Sequence, residues 1–478
     1  MILRKQLRIY LSLLLFALLS VSLVWSRGRK EDYPDPDDTS MMRINDPVPV
    51  DSEVRKAQLE NGLTYYIRHN EKPENRLVLR LAVDAGSVLE TEEQRGIAHF
   101  VEHMAFAGTE NFQKDEIVNY LEGIGIRFGP DINAYTSFDE TVYKLTLPTD
   151  DPEVVETGFQ ILSEWAFRVS FHEEEIEKER GVIIEEWRLG RGAGARMREE
   201  YFPVLFRGSR YAERLPIGKK EVIENCSRKT LMNFYRDWYR PDLMAVSAVG
   251  DYPEGKIEGL IRKYFAEEPL AEKRKERPLY EVPDHEETLY SIVTDPEASN
   301  TLVRVMMKHD PQKVKRVADY REMIVRSMYS RMLNQRFKEL TQQPDPPFIY
   351  AVSDSADLVR TKSVYELAAV VPEGGAERGL EALITEAKRV RQHGFTPGEL
   401  QRIREELLSY YKRAYEERDK MESYGFADEY VRNFLTGEFI PGIEYEYELY
   451  RRYAPGIGLK EVNKLAETML PEKNRVLL

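Results

Sequence analysis

The sequence predicts an α+β protein of two successive, similarly built domains, each with a mostly antiparallel β-sheet packed against helices. Strand-like stretches alternate with amphipathic helices along the chain, and the first two strands are joined by a short hairpin turn. The order and spacing of these elements over residues 51–269 recur loosely over residues 288–478. A chain of 478 residues is long enough for two such domains, each with its own core.

The first domain is predicted to open with a hairpin. Val54–Glu60 and Leu63–Arg68 flank Asn61-Gly62, the preferred pair for a type I′ turn. The alternating stretch Leu77–Val83 predicts a half-buried strand. The later elements are helices at Asp115–Glu122, Pro152–Phe167, Glu173–Leu189 and Leu231–Tyr239, and strands at Glu140–Leu147 and Leu243–Val249.

A charged stretch with two prolines, residues 270–287, predicts a linker to the second domain. Beyond it, the sequence predicts strands within Thr288–Met307 and at Val364–Val371, and helices at Val317–Leu340, Gly375–Arg391 and Pro397–Arg418. Residues 474–478 look like the start of a strand comparable to Leu243–Val249. We therefore expect the second domain, residues 288–478, to be incomplete.

Residues 1–26 have the pattern of an export segment. Three basic residues precede an uncharged, mostly apolar run over residues 9–25. This predicts either a signal peptide cleaved near residue 26 or an uncleaved anchor that tethers the chain to a membrane. Residues 27–50 are acidic and proline-rich, which predicts a solvated linker. The single cysteine, Cys226, excludes an intramolecular disulfide. An exported protein without disulfides fits a bacterial periplasm, which is therefore the expected compartment.

The charge balance argues against a nucleic-acid partner. The formal net charge is −14, and no basic patch with interleaved aromatic residues occurs. The composition, with 42% hydrophobic and 32% charged residues, is that of a soluble globular protein.

The most informative motif is His99-Phe100-Val101-Glu102-His103. Positions four apart share a helix face, so both imidazoles can point at one ion with Glu102 beside them. The order H-x-x-E-H is a signature of one group of zinc peptidases. The flanking residues are apolar or small, which predicts a buried helix, and burying these polar groups is costly without a partner such as a metal. The motif therefore favours one bound Zn²⁺ over structural polar residues.

Three segments in order resemble the pitrilysin/insulinase family of zinc peptidases, family M16. They are GIAHFVEHMAFAGTENF (96–112), DINAYTSFDETVYKL (131–145) and EIEKERGVIIEEW (175–187). The family's pattern implies a third zinc ligand seven residues after a first glutamate of the last segment. Carried across, Glu186 is the ligand and Glu179 is the carboxylate that orients a ligand histidine. The neighbouring Glu185 competes with Glu186 for the ligand position.

The resemblance also implies roles in catalysis and substrate binding. Zinc would activate a water and polarise the scissile carbonyl, and Glu102 would take the proton from that water as general base. The family's edge strand, onto which an extended peptide adds as a further strand, is matched by Asn133, Ala134, Tyr135, Thr136 and Ser137. The alternative for these five residues is an ordinary connection between a turn and a strand.

Active family members also carry an arginine and a tyrosine that hold the substrate carbonyl. Tyr350 falls where the tyrosine is expected, whereas Gln342 stands at the arginine position, with Arg331 or Arg336 as substitutes. The chain is thus most similar to the N-terminal half of a long, two-half bacterial member, whose second half supplies the pair and closes a chamber. A homologous second-half chain or a homodimer is the implied partner.

These observations predict a zinc-dependent endopeptidase that cleaves peptides or unfolded polypeptides. A peptide-binding or chamber-forming subunit without catalysis is the first alternative, and a zinc-stabilised structural protein is the second. Glu102 argues against the structural protein, because a structural zinc is normally closed by four protein ligands.

Overall fold

The computed structural model describes residues 42–113, 116–270 and 272–478. The expected export segment, including the apolar run over residues 9–25, lies outside these ranges. No helix within them combines the length and apolar character needed to cross a membrane.

The first domain is built on a sheet of six described strands in the order β1-β2-β6-β3-β5-β4. The strands are β1 Arg55–Gln58, β2 Thr64–His69, β3 Arg76–Val83, β4 Ile132–Thr136, β5 Thr141–Pro148 and β6 Met244–Gly250. Only the β2–β6 pair among them is parallel, and the other neighbours are antiparallel. β4 therefore lies at one edge of the sheet, and the predicted mostly antiparallel sheet is confirmed.

The predicted hairpin is present, but its turn type is wrong. The Gly62 N–H donates to the Leu59 carbonyl at 2.9 Å, so Glu60 and Asn61 occupy the centre of the turn. Gly62 has φ +93°, whereas Asn61 has no positive φ. This is the pattern of a three-residue loop with a left-handed glycine. The Asn61 side chain favours it by donating to the carbonyls of Phe265 and Glu268 at 2.7 and 3.0 Å.

Helices of the first domain cover one face of this sheet. They are α1 Ile97–Ala107, α2 Glu116–Gly123, α3 Pro152–Phe167, α4 Glu173–Leu189, α5 Ala193–Leu205, α6 Lys220–Asn225, α7 Arg228–Trp238 and α8 Glu254–Phe265. Helices α3 and α4 have the predicted bounds. Residues such as Leu79 and Leu145 of the sheet share a core with Phe100 and Trp165 of the helices.

The second sheet repeats the arrangement of the first, with the order β7-β11-β8-β10-β9 among the described strands. Its strands are β7 Leu289–Tyr290, β8 Thr301–His309, β9 Tyr350–Val359, β10 Lys362–Val371 and β11 Arg475–Leu477. β11 is parallel to β7 and antiparallel to β8, as β6 is to β2 and β3. The repeat of element order is thus confirmed, and β11 forms where the strand comparable to Leu243–Val249 is predicted.

The second domain adds a long central helix and several shorter ones. They are α9 Val317–Thr341, α10 Ala376–His393, α11 Pro397–Glu416, α12 Ser423–Thr436, α13 Ile443–Tyr453 and α14 Leu459–Thr468. Buried side chains of α9, such as Tyr329 and Met332, share a core with Tyr365 and Leu367 of β10.

Helix α12 belongs to the second domain in sequence but covers the other face of the first sheet. Phe426 and Tyr430 pack with Tyr66 and Val78, and the Tyr66 and Tyr430 rings stack with centroids 5.4 Å apart. Strand β3 is therefore buried on both faces, so the prediction of a half-buried strand is wrong. Even Arg80 is only 5% exposed, and its Nε donates to Asp428 of α12 at 2.8 Å, which compensates its burial.

The described end of the expected N-terminal linker is mostly exposed and makes two backbone hydrogen bonds to the second domain. The Val48 N–H donates to the Lys315 carbonyl at 3.0 Å, and the Val317 N–H donates to the Asp46 carbonyl at 2.9 Å. Residues 272–288, which include most of the second expected linker, form neither helix nor strand.

Candidate active site

Helix α1 carries the HFVEH motif and is buried, as predicted. Its fully buried side chains are Ile97, Ala98, Phe100, Val101, Met104 and Ala105. The buried Glu90 carboxylate accepts the N–H of Gly96 at 3.0 Å and of Ala98 at 2.8 Å, which satisfies donors that a helix N-terminus leaves unpaired. Gly96 precedes the helix with φ +105°, a conformation that a side chain would strain. The N-terminus of α1 is thereby fixed.

Three possible metal ligands converge between α1 and α4. The Nε2 atoms of His99 and His103 are 3.3 Å apart, and Glu186 Oε2 lies 3.3 Å from His103 Nε2 and 3.8 Å from His99 Nε2. The side chains of His99 and His103 are 14% and 20% exposed, whereas that of Glu186 is 50% exposed. The group is therefore closed on the helix side and open on the side of Glu186.

This donor set fits a zinc ion. Ligand atoms at about 2.0–2.2 Å around a tetrahedral centre lie about 3.3–3.6 Å from one another. The three observed separations, 3.3, 3.3 and 3.8 Å, are close to that range. Three protein ligands of the type N, N and O also leave one tetrahedral position for water or substrate, which is the arrangement of catalytic rather than structural zinc.

The geometry distinguishes Glu186 from its neighbour Glu185. Glu185 is not part of the group of converging donors and accepts hydrogen bonds from Arg188 at 2.6 and 3.1 Å. Glu179, two turns before Glu186 on α4, lies on the same face, and its Oε2 is 3.3 Å from His103 Nδ1. Both glutamates chosen on the resemblance thus lie at the histidines.

The two histidines have opposite electrostatic surroundings. Burial, followed by the charge of His103, lowers the pKa of His99 to about 4. Burial also disfavours charge on His103, but hydrogen bonds to Glu179 and Glu186 outweigh it and raise the pKa of His103 to about 9. The hydrogen bond to His103 lowers the pKa of Glu186. Positive charge at His103 is therefore strongly favoured, as expected of a site built to receive a cation.

Glu102 lies beside the three donors without joining them. Its side chain is buried, and its Oε2 accepts a hydrogen bond from the Thr136 hydroxyl at 2.6 Å. Burial raises the pKa of Glu102 to about 7, although the hydrogen bond from Thr136 acts in the opposite direction. A carboxyl group with a pKa near neutrality can both accept and release a proton, which suits a general base.

The segment Asn133–Ser137 forms most of edge strand β4 and continues just beyond it. The Ser137 N–H donates to the Glu140 carbonyl across the turn, so residues 133, 135 and 137 direct their backbone groups towards β5. The backbone groups of Ala134 and Thr136 then face outwards. The Asn133 side chain accepts the Ala134 N–H at 2.9 Å, and the Gly129 N–H donates to the Ile132 carbonyl at 2.8 Å. The open part of this edge is therefore short.

The residues expected to hold the substrate carbonyl are not brought to this group. Tyr350 begins β9, the edge strand of the second sheet, and its side chain is 44% exposed. Arg336 is bound to Glu386 and Glu399 at 3.0 and 2.6 Å, and Arg331 to Glu406 at 3.1 Å. Both arginines are thus paired within the second domain.

Comparison with known proteins assigns the family. The family description "Insulinase (Peptidase family M16)" matches residues 65–189, and "Peptidase M16 inactive domain" matches residues 225–407. Together the two matches cover more than half of the chain. The chain belongs to peptidase family M16. The first match contains the HFVEH motif and Glu186, and the second extends from the first domain into the second.

Relatives named as zinc proteases resemble nearly the whole chain. The zinc protease PQQL-like protein of Arabidopsis thaliana is 39% identical over 414 residues, covering 86% of this chain and 40% of the relative. The probable zinc protease PqqL of Escherichia coli is 29% identical over 408 residues, covering 85% of this chain and 44% of the relative. The chain therefore spans less than half the length of these curated relatives.

A solved structure shows which half is matched. The first half of the periplasmic protease PqqL from Escherichia coli has a TM-score of 0.85 and 27% identity, covering 90% of this chain and 92% of that chain. The whole PqqL structure is covered to 48%. The chain is thus similar to the N-terminal half of a long, two-half M16 protein, and these relatives support a peptidase function.

Two features of the site carry no clear signal in the sequence. The Glu90 carboxylate at the start of α1 precedes the motif by nine residues, and no local pattern links it to the helix. The hydrogen bond from Thr136 to Glu102 joins two segments 34 residues apart. Thr136 belongs to the segment expected to pair with substrate through its main chain, and its hydroxyl in addition contacts the expected general base.

Proposed function

We propose that this chain is the zinc-binding half of an endopeptidase that cleaves peptides or unfolded polypeptides. The observation that carries the proposal is the triangle of His99 Nε2, His103 Nε2 and Glu186 Oε2 with the buried Glu102 beside it. These three residues would hold one Zn²⁺. When bound, the ion would polarise the scissile carbonyl and activate a water.

The remaining chemistry would be supplied by the chain's own carboxylates. Glu102 would take a proton from the attacking water and deliver it to the leaving amine. The Thr136 hydroxyl, 2.6 Å from Glu102 Oε2, would orient that carboxylate. Glu179, 3.3 Å from His103 Nδ1, would fix the ring with Nε2 towards the ion.

Substrate would add to the edge of the first sheet at β4. The outward carbonyl of Ala134 and the outward backbone groups of Thr136 would offer main-chain hydrogen bonds to an extended peptide, which gives binding with loose sequence preference. The Ala134 N–H already donates to the Asn133 side chain. Asn133 and Tyr135 are exposed on one face of the strand, and Ser137 continues it. Because pairing with the short open part of β4 requires an extended backbone, this edge suits an unfolded segment rather than a folded protein.

A second candidate function is a peptide-binding or chamber-forming subunit that needs a homologous partner half for cleavage. It is favoured by Arg331 and Arg336, both of which are held in ion pairs within the second domain. Tyr350, at the edge of the second sheet, would then contact substrate in the chamber, and the arginine that completes the pair would come from the partner. The partner would be a homologous second half or a second copy of this chain.

We further propose export to a bacterial periplasm. The proposal rests on the basic and apolar pattern of residues 1–26 and on the similarity to the periplasmic protease PqqL from Escherichia coli. Whether residues 9–25 are cleaved or retained as a membrane tether is tested by sequencing the N-terminus of the exported protein.

Metal analysis of matched variants tests the zinc site. The wild-type protein is expected to bind about one zinc per chain. Glu186→Gln should lose most of that zinc, whereas Glu185→Gln, one residue away and paired with Arg188, should keep it. Equal zinc content in the two variants would contradict the assignment of Glu186.

A quenched-fluorescence peptide library then separates the two candidate functions. The endopeptidase is supported when wild type cleaves peptides and Glu102→Gln binds zinc without cleaving. The subunit is supported when cleavage requires an added homologous half. Full zinc content with no cleavage and no peptide binding, with or without that half, would refute both.

A further inference from the structure

A largely buried cluster of five charged side chains joins the second domain to the turn next to the proposed active site. This Arg360 cluster consists of Asp84, Asp139, Glu140, Arg277 and Arg360. The side chains of Arg360, Arg277 and Asp139 are only 11%, 8% and 6% exposed. Asp84 follows β3, Asp139 and Glu140 form the β4–β5 turn, and Arg360 lies in the two-residue turn between β9 and β10.

Within this cluster, Arg360 makes the contacts that cross from the second domain to the first. Its guanidinium donates to Asp84 Oδ1 at 2.9 Å, to Glu140 Oε2 at 3.2 Å and to the carbonyl of Leu435 at the end of α12. Its backbone N–H lies 3.3 Å from Asp139 Oδ2. One side chain of the second domain thus touches the end of β3, the β4–β5 turn and α12.

The β4–β5 turn is held on its other side by the segment before α1. The Ser87 N–H donates to the Ser137 carbonyl at 3.1 Å, and the Val88 N–H donates to the Phe138 carbonyl at 2.8 Å. One residue before Ser137, the Thr136 hydroxyl reaches Glu102. A shift of this turn would therefore move both the open edge of β4 and the hydrogen bond to Glu102.

Holding the domains together does not require such a cluster. Helix α12 already joins them through apolar contacts of Phe426, Tyr430, Val431 and Leu435 with the first sheet. Buried ion clusters are rarely the most stabilising way to fill an interface, since each charge loses its hydration. Their directional hydrogen bonds do fix orientation, and the planar guanidinium of Arg360 bonds three acceptors at once, which a lysine ammonium on a flexible stem matches poorly.

We propose that Arg360 is a positioning residue for the active site. Through Glu140 and Asp139 it fixes the β4–β5 turn, and through that turn it sets the edge strand and the Thr136–Glu102 hydrogen bond. The second domain thereby contributes directly to the geometry of the proposed zinc site in the first. This inference rests on the proposed function for its effect on peptides, but not for its effect on the turn.

The test compares Arg360→Lys and Arg360→Met with Arg304→Lys in the full chain. Arg304 is a matched control, because it also belongs to the second domain and is paired with a single carboxylate, Glu366, across β8 and β10. Hydrogen exchange over residues 136–140 reports on the turn. Peptide affinity is measured in a Glu102→Gln background that binds without cleaving, and kcat and KM are measured separately in the cleaving protein.

For Arg360→Lys we expect faster exchange confined to residues 136–140, peptide affinity weaker by about tenfold and a lower kcat, with zinc content unchanged. Arg360→Met should show the same pattern more strongly, and Arg304→Lys should show none of it. If Arg360→Met does not fold, the lysine variant alone decides.

Wild-type exchange and wild-type peptide affinity in Arg360→Lys would overturn the proposal. A uniform rise in exchange over both sheets would also overturn it, because Arg360 would then only stabilise the fold. If the wild-type chain binds zinc but neither binds nor cleaves peptide, the proposed function fails, and exchange at residues 136–140 still decides the role of Arg360.

Discussion

Replacing Glu179 with glutamine is expected to weaken zinc binding without removing a ligand. Glu179 Oε2 lies 3.3 Å from His103 Nδ1, and its side chain is 15% exposed. Glutamine has the same length and fills the same space. The substitution therefore removes the charge that supports His103 while leaving His99, His103 and Glu186 in place.

The magnitude follows from the contact. Loss of an outer partner of a ligand histidine typically costs about 10- to 100-fold in metal affinity. A separation of 3.3 Å is long for a charge-assisted hydrogen bond, and the glutamine oxygen can still accept a hydrogen bond from the ring N–H. We therefore expect the lower end of that range, about tenfold or about 1.4 kcal/mol.

The loss should depend on pH. In the metal-free protein, hydrogen bonds to Glu179 and Glu186 outweigh burial and raise the pKa of His103 to about 9, so zinc must displace a proton at pH 7. Wild-type affinity should then rise about tenfold per pH unit below pH 9. Glu179→Gln weakens the hold of His103 on that proton, so the zinc affinity of the variant should rise less steeply with pH. The difference in zinc affinity between wild type and variant should therefore grow from pH 7 to pH 8.5.

Competition with a zinc chelator between pH 7 and pH 8.5 measures both effects. Glu177→Gln is the matched control, because Glu177 lies on the same helix but is exposed and bound to Arg180. Wild-type zinc affinity in Glu179→Gln at pH 8.5 would refute the reasoning. An equal loss in Glu177→Gln would show a general effect of charge rather than support of His103.

Three further predictions concern the base, a buried acid and the interface. Thr136→Val removes a hydrogen bond to a carboxylate, worth about 1.5–3 kcal/mol, so kcat/KM should fall about 10- to 100-fold with zinc retained. Thr136→Ser should keep most activity, and equal rates in the two variants would contradict the role of the hydroxyl. Burial, followed by repulsion from neighbouring glutamates, raises the pKa of Glu429 to about 7. The folded protein therefore binds this proton more tightly than the unfolded chain does, and its stability falls as the pH rises from about 4.5 to about 7. Glu429→Gln should therefore raise the free energy of unfolding by about 1–3 kcal/mol at pH 8 and leave it unchanged at pH 4. If urea denaturation gives the same gain at both pH values, the charge on Glu429 is not the cause. Asp428→Ala leaves Arg80 buried without its carboxylate and should lower the free energy of unfolding by about 1–3 kcal/mol in the same assay, and an unchanged value would show that Arg80 finds another partner.

The elements that the sequence predicts well are those with local start signals and apolar stripes of their own. Helix α3 begins with Pro152 after Asp151, whose side chain accepts the Glu153 N–H, and α4 begins with an acidic first turn. Both match the predicted bounds. The Asn61-Gly62 turn was predicted wrongly because the pair fits two loop types, and the contact of Asn61 with distant carbonyls decides between them.

The candidate site was predictable only in part. Helical spacing places His99 and His103 together, but no local pattern distinguishes Glu185 from Glu186, and only the family's spacing selected the second. The approach of α1 to α4 brings together residues 76 positions apart, such as His103 and Glu179. Arg360 escaped prediction because a single arginine in a short turn carries no periodic signal. Its importance comes entirely from tertiary contacts.

The cover that α12 provides for the first sheet has a consequence for how the chain folds. Arg80 and Asp428, which meet across that contact, are 348 residues apart. During synthesis the first sheet is complete once β6 has been made, yet the apolar side chains of Tyr66 and Val78 remain exposed until α12 follows. The free-energy cost of closing a loop grows only slowly with its length, but contacts so distant in sequence form slowly, and an uncovered apolar sheet face is prone to aggregation in the meantime. We therefore expect the first sheet and the helix that covers it to reach their final state together, and a nascent chain halted before α12 to expose an apolar sheet face that a chaperone could hold.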